Sequence, residues 1–229
     1  MSQPVLFFAP ATCARVALTA LEEVGEPFEV RTVIFMRGDN RSPEFLAVNP
    51  KGKVPALIID DLCLSENVAT LDYLANRFPD AALLPAADSP AARAERLADL
   101  AFCAATLHPI VTRIRISPMI AGPQAARAVY EGACKAMDPN FALIEARLAK
   151  RTWWYGETWS IMDAYLNWVF ARVDGARYDT ARFPAFSAHH AAHTARPATQ
   201  RMLAREAMIQ NELAEQGMVF TPPDPANYA

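Results

Sequence analysis

Apolar positions recur along this chain with two different periods, and the change from one to the other falls near residue 80. Residues 5–9 form a short apolar run stopped by Pro10, which reads as a buried strand. Val16, Ala17, Ala20, Leu21 and Val24 then share one helical stripe, capped by Thr12 or a neighbour and ended by Gly25. Residues 28–35 alternate, with Phe28, Val30 and Thr32 on one side, and read as a second strand. Ser42-Pro43-Glu44 opens a short helix with proline at its first position. Residues 56–59 read as a third strand headed by Pro55, where a missing donor is tolerated. Asp60-Asp61 is a two-residue turn into Leu62-Cys63-Leu64, which predicts a hairpin. Val68, Leu71, Leu74 and Ala75 mark a helix running to Arg77, with Ser65 as its N-cap. The order is βαβ, α, ββ, α.

A parallel pair followed by an antiparallel hairpin gives a mixed sheet and, in that order, an α/β thioredoxin-like domain. Residues 78–90 are a Pro-, Ala- and Asp-rich linker, and no strand pattern persists beyond it. Residues 91–117 are helical, with Leu97, Leu100, Ala101, Ala104, Leu107, His108 and Val111 on one stripe and a bend expected at Pro109. Residues 124–150 give a second long helix, with an interruption expected at Pro139. Ser160-Ile161-Met162-Asp163 fits a capping box, with Asp in place of Glu, ahead of an apolar helix. Further helices start at Pro184 and Pro197, and the Pro-rich stretch 221–229 reads as a loosely ordered tail. The expected organisation is a thioredoxin-like domain over residues 1–80, an all-α helical bundle over 90–220 and the tail.

With 229 residues, 52% hydrophobic and 21% charged, the composition is that of a globular protein. A net charge of −3 leaves no basic footprint, so no nucleic-acid partner is expected. Cys13, Cys63, Cys103 and Cys134 form no CxxC or metal-ligand pattern. They read as reduced thiols of a cytoplasmic protein without a bound metal. The first residues carry no basic segment and are broken by Pro4 and Pro10, so no signal peptide is expected. No run approaches the length of a membrane span, and no membrane partner is expected.

The stretch Asn49-Pro-Lys-Gly-Lys-Val-Pro55, with Ser65-Glu66-Asn67 behind it, brings a strand opening, a hairpin and a helix N-terminus within a few residues of each other. Free N–H groups and the helix dipole favour a carboxylate there. A tight hairpin and a capped helix without a ligand would give the same pattern. The motif, followed by Leu-Ser-Glu-Asn-Val-Ala-Thr-Leu-Asp-Tyr-Leu, resembles the glutathione-binding half of the cytosolic glutathione S-transferases, and the layout of the whole chain is similar to theirs. The resemblance implies that the Val54 backbone pairs with the cysteinyl backbone of glutathione and that Pro55 is cis. It also implies that Glu66 and Asn67 hold the γ-glutamyl end and that Lys53 reaches the glycyl carboxylate. Many members have Ser where this chain has Asn67.

Such an enzyme must favour the glutathione thiolate, commonly with a Tyr, Ser or Cys near the end of the first strand or the start of the first helix. Here Phe7-Phe8 occupies the Tyr position, and the only hydroxyls or thiols before Leu18 are Ser2, Thr12 and Cys13. Ser2 precedes the strand. Cys13 is therefore the first candidate and Thr12 the second. Phe-Phe-Ala-Pro-Ala-Thr-Cys resembles the Cys-bearing loop of the bacterial beta class. At a helix N-terminus the dipole lowers a thiol pKa, so Cys13 is expected to be the most reactive thiol. His108, in Phe-Cys-Ala-Ala-Thr-Leu-His-Pro, is similar to the beta-class histidine that faces the glutathione thiol, although Pro109 stands where Lys is frequent. Phe35, Met36, Ile110, Arg113, Ile114 and Trp168 are candidates for a co-substrate pocket. The implied activity is a homodimeric detoxification transferase taking glutathione and a small hydrophobic electrophile, by conjugation or by thiol transfer through Cys13. A glutathione-dependent ether-cleaving or dehalogenating lyase and a non-catalytic interaction module are the alternatives.

Overall fold

β1 (Val5–Phe8), β2 (Glu29–Thr32), β3 (Ala56–Ile59) and β4 (Leu62–Ser65) form one sheet in the order β2–β1–β3–β4. The computed structural model describes residues 3–228; Ser2 and the last residue of the Pro-rich stretch, Ala229, lie outside the described residues. β1 runs parallel to β2 in the register Val5↔Glu29 and antiparallel to β3, and β3 pairs antiparallel with β4. Asp60 and Asp61 both have positive φ, 48° and 65°, which is what a two-residue hairpin turn needs. The central strands carry Leu6, Phe8 and Leu57, all fully buried. α1 (Ala14–Val24) packs its Ala17, Leu18 and Leu21 stripe on β1 and on α3 (Asn67–Arg77), which contributes Leu71 and Leu74. α2 (Pro43–Val48) begins at Ser42, whose hydroxyl accepts the Phe45 N–H. β2 is shorter than the alternation suggested: Phe35–Arg37 turns into a 3-10 helix.

The rest of the chain is helical, and four details depart from expectation. First, α4 (Pro90–Ala101) and α5 (His108–Ala121) are joined by a π-helical segment, Phe102–Leu107. Pro109 has no N–H, and its ring would strike the carbonyl one turn back in a regular helix; a wider turn ahead of it relieves both. The break in dihedrals lies further on, at Ile116 (φ −135°, ψ 36°), two residues before Pro118. Second, α6 (Ala126–Leu148) runs through Pro139 without interruption. Met137 and Phe141, on either side, are fully buried, and Phe141 packs on Phe170, Tyr178, Phe183 and Phe186. Packing of that kind outweighs the proline cost of about 3 kcal/mol. Third, Pro90–Ala121 is long and apolar enough, by length and composition, to cross a membrane, which the sequence reading did not expect of any run. Its buried side chains, among them Leu100, Cys103, Leu107 and Ile114, belong to helices that pack on one another in the helical unit.

The capping box forms as expected ahead of α7 (Ile161–Asp174). Asp163 is fully buried; its Oδ2 accepts from Ser160 N–H (2.8 Å) and Ser160 Oγ (3.0 Å), and its Oδ1 accepts the Trp154 N–H (2.7 Å) and lies 2.9 Å from His189 Nε2. His189 lies on α8 (Pro184–Thr194). The fourth departure concerns α9 (Pro197–Glu215). The chain forms two compact units: one takes the residues up to Leu84 together with Ala195–Phe220, the other Pro85–Thr194 and the stretch from Thr221. The last helix thus joins the thioredoxin-like unit rather than the bundle, because it is tied to α1 by ion pairs. Glu22 meets Arg201 and Arg205, both at 3.0 Å, and Glu23 meets Arg196 at 2.9 Å.

Candidate active site

The loop ahead of β3 is fixed by two asparagines. Buried Asn49 donates from Nδ2 to the Lys53 carbonyl (2.6 Å) and accepts the Lys51 N–H (3.2 Å). Asn40 donates to the Gly52 carbonyl at 3.1 Å. Gly52 sits at φ +63°, and a Cβ there would stand 2.9 Å from the Asn40 carbonyl oxygen, so both conformation and space require glycine. The Val54–Pro55 peptide that follows is cis, as the resemblance implied. Val54 is buried and its carbonyl accepts from the Cys13 thiol at 3.7 Å.

Cys13, not Thr12, is the N-cap residue of α1. The Thr12 hydroxyl is committed: it donates to the Ala9 carbonyl at 2.7 Å and accepts the Ala14 N–H at 3.3 Å. The Cys13 residue is half-buried, but its sulfur is desolvated, and burial pushes the thiol from 9.0 up to about 12. Its own backbone N–H and the nearby Lys53 ammonium pull it down, and Glu66 adds to the rise. The low pKa expected from the helix N-terminus is thus overturned, because desolvation of the thiolate outweighs the end of the dipole. Cys63, exposed on β4, is the accessible thiol of the four.

On the hairpin side, Glu66 rather than Ser65 is the N-cap of α3, and it holds φ 71°, ψ 124°. A non-glycine residue in that region stores of order 1–3 kcal/mol. Such strain persists where the surroundings hold the residue in place. Its exposed carboxylate takes Lys51 Nζ at 2.8 Å, and Lys51 also donates to Ser65 Oγ at 3.0 Å. Lys53, the lysine singled out from sequence, is exposed and acts on Cys13 only through its charge. Asn67 is buried and donates from Nδ2 to the Cys13 carbonyl at 2.9 Å, while its Oδ1 is enclosed without a partner. One amide hydrogen of Asn67 is thereby spent on α1, where the sequence reading had it free for a carboxylate.

Sequence reasoning missed a third support. Glu206 of α9, buried, accepts the Ala11 N–H at 2.6 Å and the Arg15 guanidinium at 2.5 Å. Ala11 has φ 62°, an unusual conformation for alanine, just ahead of the candidate cysteine. Acidic residues on a late helix carry no local signal for this; the pairing is visible only once α9 is placed beside α1.

The other candidates divide between the units. Phe35 and Met36, in the thioredoxin-like unit, are exposed. In the helical unit Ile110, Ile114 and Trp168 are buried and Arg113 is exposed. His108 is held edge-on to Trp168, ring centroids 4.7 Å apart, directly after the π segment. Among the described residues no group of three or more His, Cys, Asp or Glu is placed to hold a metal ion.

Residues 6–76 match the family model for the glutathione S-transferase N-terminal domain. Glutathione S-transferase GST-4.5 of Xanthomonas campestris pv. campestris is 30% identical over 215 residues, covering 93% of this chain and 98% of the relative. The chain belongs to the glutathione S-transferase family. Family architecture extends over its length: a sphingomonad glutathione S-transferase solved with glutathione superposes with a TM-score of 0.78, at 31% identity over 89% of this chain and 98% of that one. The bacterial beta-class glutathione S-transferase of Sphingomonas chungbukensis gives 0.77, at 28% identity over 88% and 98%. The loop 49–55, the α3 N-terminus and the α1 N-terminus all lie in one compact unit.

Proposed function

We propose that this glutathione transferase binds glutathione along 53–55 and the α3 N-terminus, sets its sulfur at the N-terminus of α1, and passes it to a small hydrophobic electrophile. The protein is an enzyme of the transferase class. One observation carries the reading: Cys13, Val54 and Asn67, far apart in sequence, meet through the thiol–Val54 carbonyl and Asn67–Cys13 carbonyl contacts. In this reading the Val54 backbone pairs with the peptide, Glu66 and Asn67 face the γ-glutamyl end, and Lys53 and Lys51 supply positive charge. By the family resemblance, His108 is the candidate for a role at the sulfur, and Ile110, Arg113, Trp168 and Phe35 are the candidates for contact with the electrophile.

Of the two uses of Cys13, burial favours the un-ionised one. A thiol pushed up to about 12 keeps its proton near neutral pH. It is then a weak hydrogen-bond donor to a glutathione thiolate and a poor nucleophile itself. That supports conjugation over a mixed-disulfide route. No observation favours the lyase or the non-catalytic reading over this one. Detoxification in the cytoplasm, as a homodimer, completes the proposal; light scattering at micromolar concentration is expected to give about twice 25.2 kDa, and a mass near one chain would count against the dimer.

The reading is tested by calorimetric titration with glutathione and by mass detection of thioether products from a panel of hydrophobic electrophiles. Glu66→Ala should weaken glutathione by about 1.5–3 kcal/mol, the scale of a hydrogen bond to a charged group. The exposed Lys51–Glu66 pair contributes little to stability, so the fold should survive. Glu66→Gly separates the two roles: it relieves the positive φ, so unfolding free energy should hold or rise by about 1 kcal/mol while affinity falls as in the alanine variant. Unchanged affinity in both removes Glu66 from the site.

A further inference from the structure

The stretch after α9 does not behave as the loose tail its composition suggested. Asp224 receives both arms of the Arg177 guanidinium, at 2.6 and 2.8 Å, and caps a 3-10 turn, Pro225–Asn227, through the Ala226 N–H at 2.9 Å. Tyr228 is 6% exposed. Its ring stands edge-on to Tyr130 at 5.8 Å, its hydroxyl donates to the Pro223 carbonyl at 3.3 Å, and its carbonyl accepts from Arg127. Pro222, Pro223 and Pro225 restrict the unfolded stretch, so ordering it costs less than it would for a flexible segment. The same prolines that suggest disorder therefore make an inexpensive strap once anchors exist.

The anchors converge on the break in α5. Ile116 has the non-helical dihedrals, and the strap is joined to the segment around it through the turn after α7, where Asp224 holds Arg177 and Tyr228 packs on Tyr130. Ser117 is fully buried and its hydroxyl donates back to the Arg113 carbonyl, a bond that bends helices. Arg115 also reaches the Gly175 carbonyl at 3.1 Å, and Tyr130 of α6 reaches that of Ala176 at 2.9 Å. The turn after α7 is thus gripped from α5, α6 and the strap, the last through Arg177. A helix that has lost regular bonding at Ile116, and a donor at Pro118, has no stiffness of its own to set the angle across the break. Tyr228 and its partners supply that angle from outside.

We propose that residues 221–228 are a strap and that Tyr228 is a positioning residue for the reaction: it fixes α5 across Ile116 and thereby the Arg113 turn that meets the electrophile. This rests on the reading of α5 as the helix that carries electrophile-facing residues. The test combines amide exchange, followed by mass spectrometry over 110–121, with steady-state kinetics on Tyr228→Ala, Tyr228→Phe, Asp224→Asn and a chain lacking 221–229. In Tyr228→Ala and in the shortened chain, exchange over 113–121 should quicken about tenfold or more. KM for the electrophile should rise about tenfold while KM for glutathione stays within about twofold. Tyr228→Phe keeps the packed ring and should recover most of both effects. Asp224→Asn, a surface change that leaves the core intact, should move both readouts the same way by a smaller factor. Unchanged exchange over 113–121 overturns the strap, and so does a parallel rise of both KM values, which a general loss of structure would give. Failure of the unaltered protein to conjugate any electrophile sinks the functional reading alone, because exchange is measured without turnover.

Discussion

Glu206→Ala is expected to lower the unfolding free energy by about 3–5 kcal/mol and to weaken glutathione binding at the same time. Breaking a buried ion pair from one side leaves the other charge uncompensated, and that is among the larger single-residue effects. Arg15 retains only 14% of its side-chain surface and its Nε has no partner, so the guanidinium has little water to turn to. The same substitution strips the acceptor from the Ala11 N–H, which holds an alanine at φ 62° two residues before Cys13. Stability and site geometry should therefore fail together. Glu206→Gln keeps an acceptor for Ala11 and loses the charge, so it should recover binding better than stability. Urea unfolding and glutathione calorimetry on both variants read the two effects. A loss under about 1 kcal/mol in Glu206→Ala would show that Arg15 finds another partner and that the loop before α1 does not depend on α9.

How much of this was legible beforehand follows from the range of each interaction. β1, β3, β4, α1, α3 and the capping box at Ser160 are written in local periodicity, turn residues and caps, and a reader of the sequence finds them. The Ser65 N-cap was misplaced by one residue because β4 extends through it, and the strained Glu66 takes the cap instead. Propensity announces no residue at φ 71° unless it is glycine. The bend assigned to Pro109 became a π segment ahead of it, and the break appeared at Ile116. A proline marks a helix for distortion without saying which neighbouring turn absorbs it. Of the proposed site, the loop 49–55 and the α3 N-terminus are contiguous motifs that a sequence reading singles out. Glu206, Asn49 as a loop brace and Lys51 as the partner of Glu66 depend on contacts that no local pattern encodes. The protonation of the candidate thiol was misjudged, since the helix end is visible in sequence whereas desolvation is a property of the packed neighbourhood.

That misjudgement makes the sharpest expectation for the chemistry. In the protein without glutathione, alkylation mapped by mass spectrometry should modify the exposed Cys63 first. Cys13 should follow slowly, and fully buried Cys103, whose thiol burial also raises, should be last. The sign of the pH dependence follows from the raised value. A thiol at about 12 in the folded chain and near 9.0 when solvated favours the folded state below pH 9. That contribution should be lost as the pH climbs from 9 to 12, and Cys13→Ala should show a shallower alkaline decline than the unaltered protein. For catalysis, on the proposed reading, Cys13→Ala removes a donor available to the developing thiolate charge. A full donor of this kind contributes about 10²–10³ in rate, and a thiol is a weaker one, so conjugation should fall about tenfold to a hundredfold. The backbone N–H groups at the start of α1 should hold the remainder. Any mixed disulfide with oxidised glutathione at this site should vanish outright. Thr12→Ala loses only the Ala9 and Ala14 bonds, so it should cost about 1 kcal/mol of stability and leave the rate within about threefold. An inactive Thr12→Ala beside an active Cys13→Ala would move thiolate stabilisation to the hydroxyl, and with it the account of why α1 begins where it does.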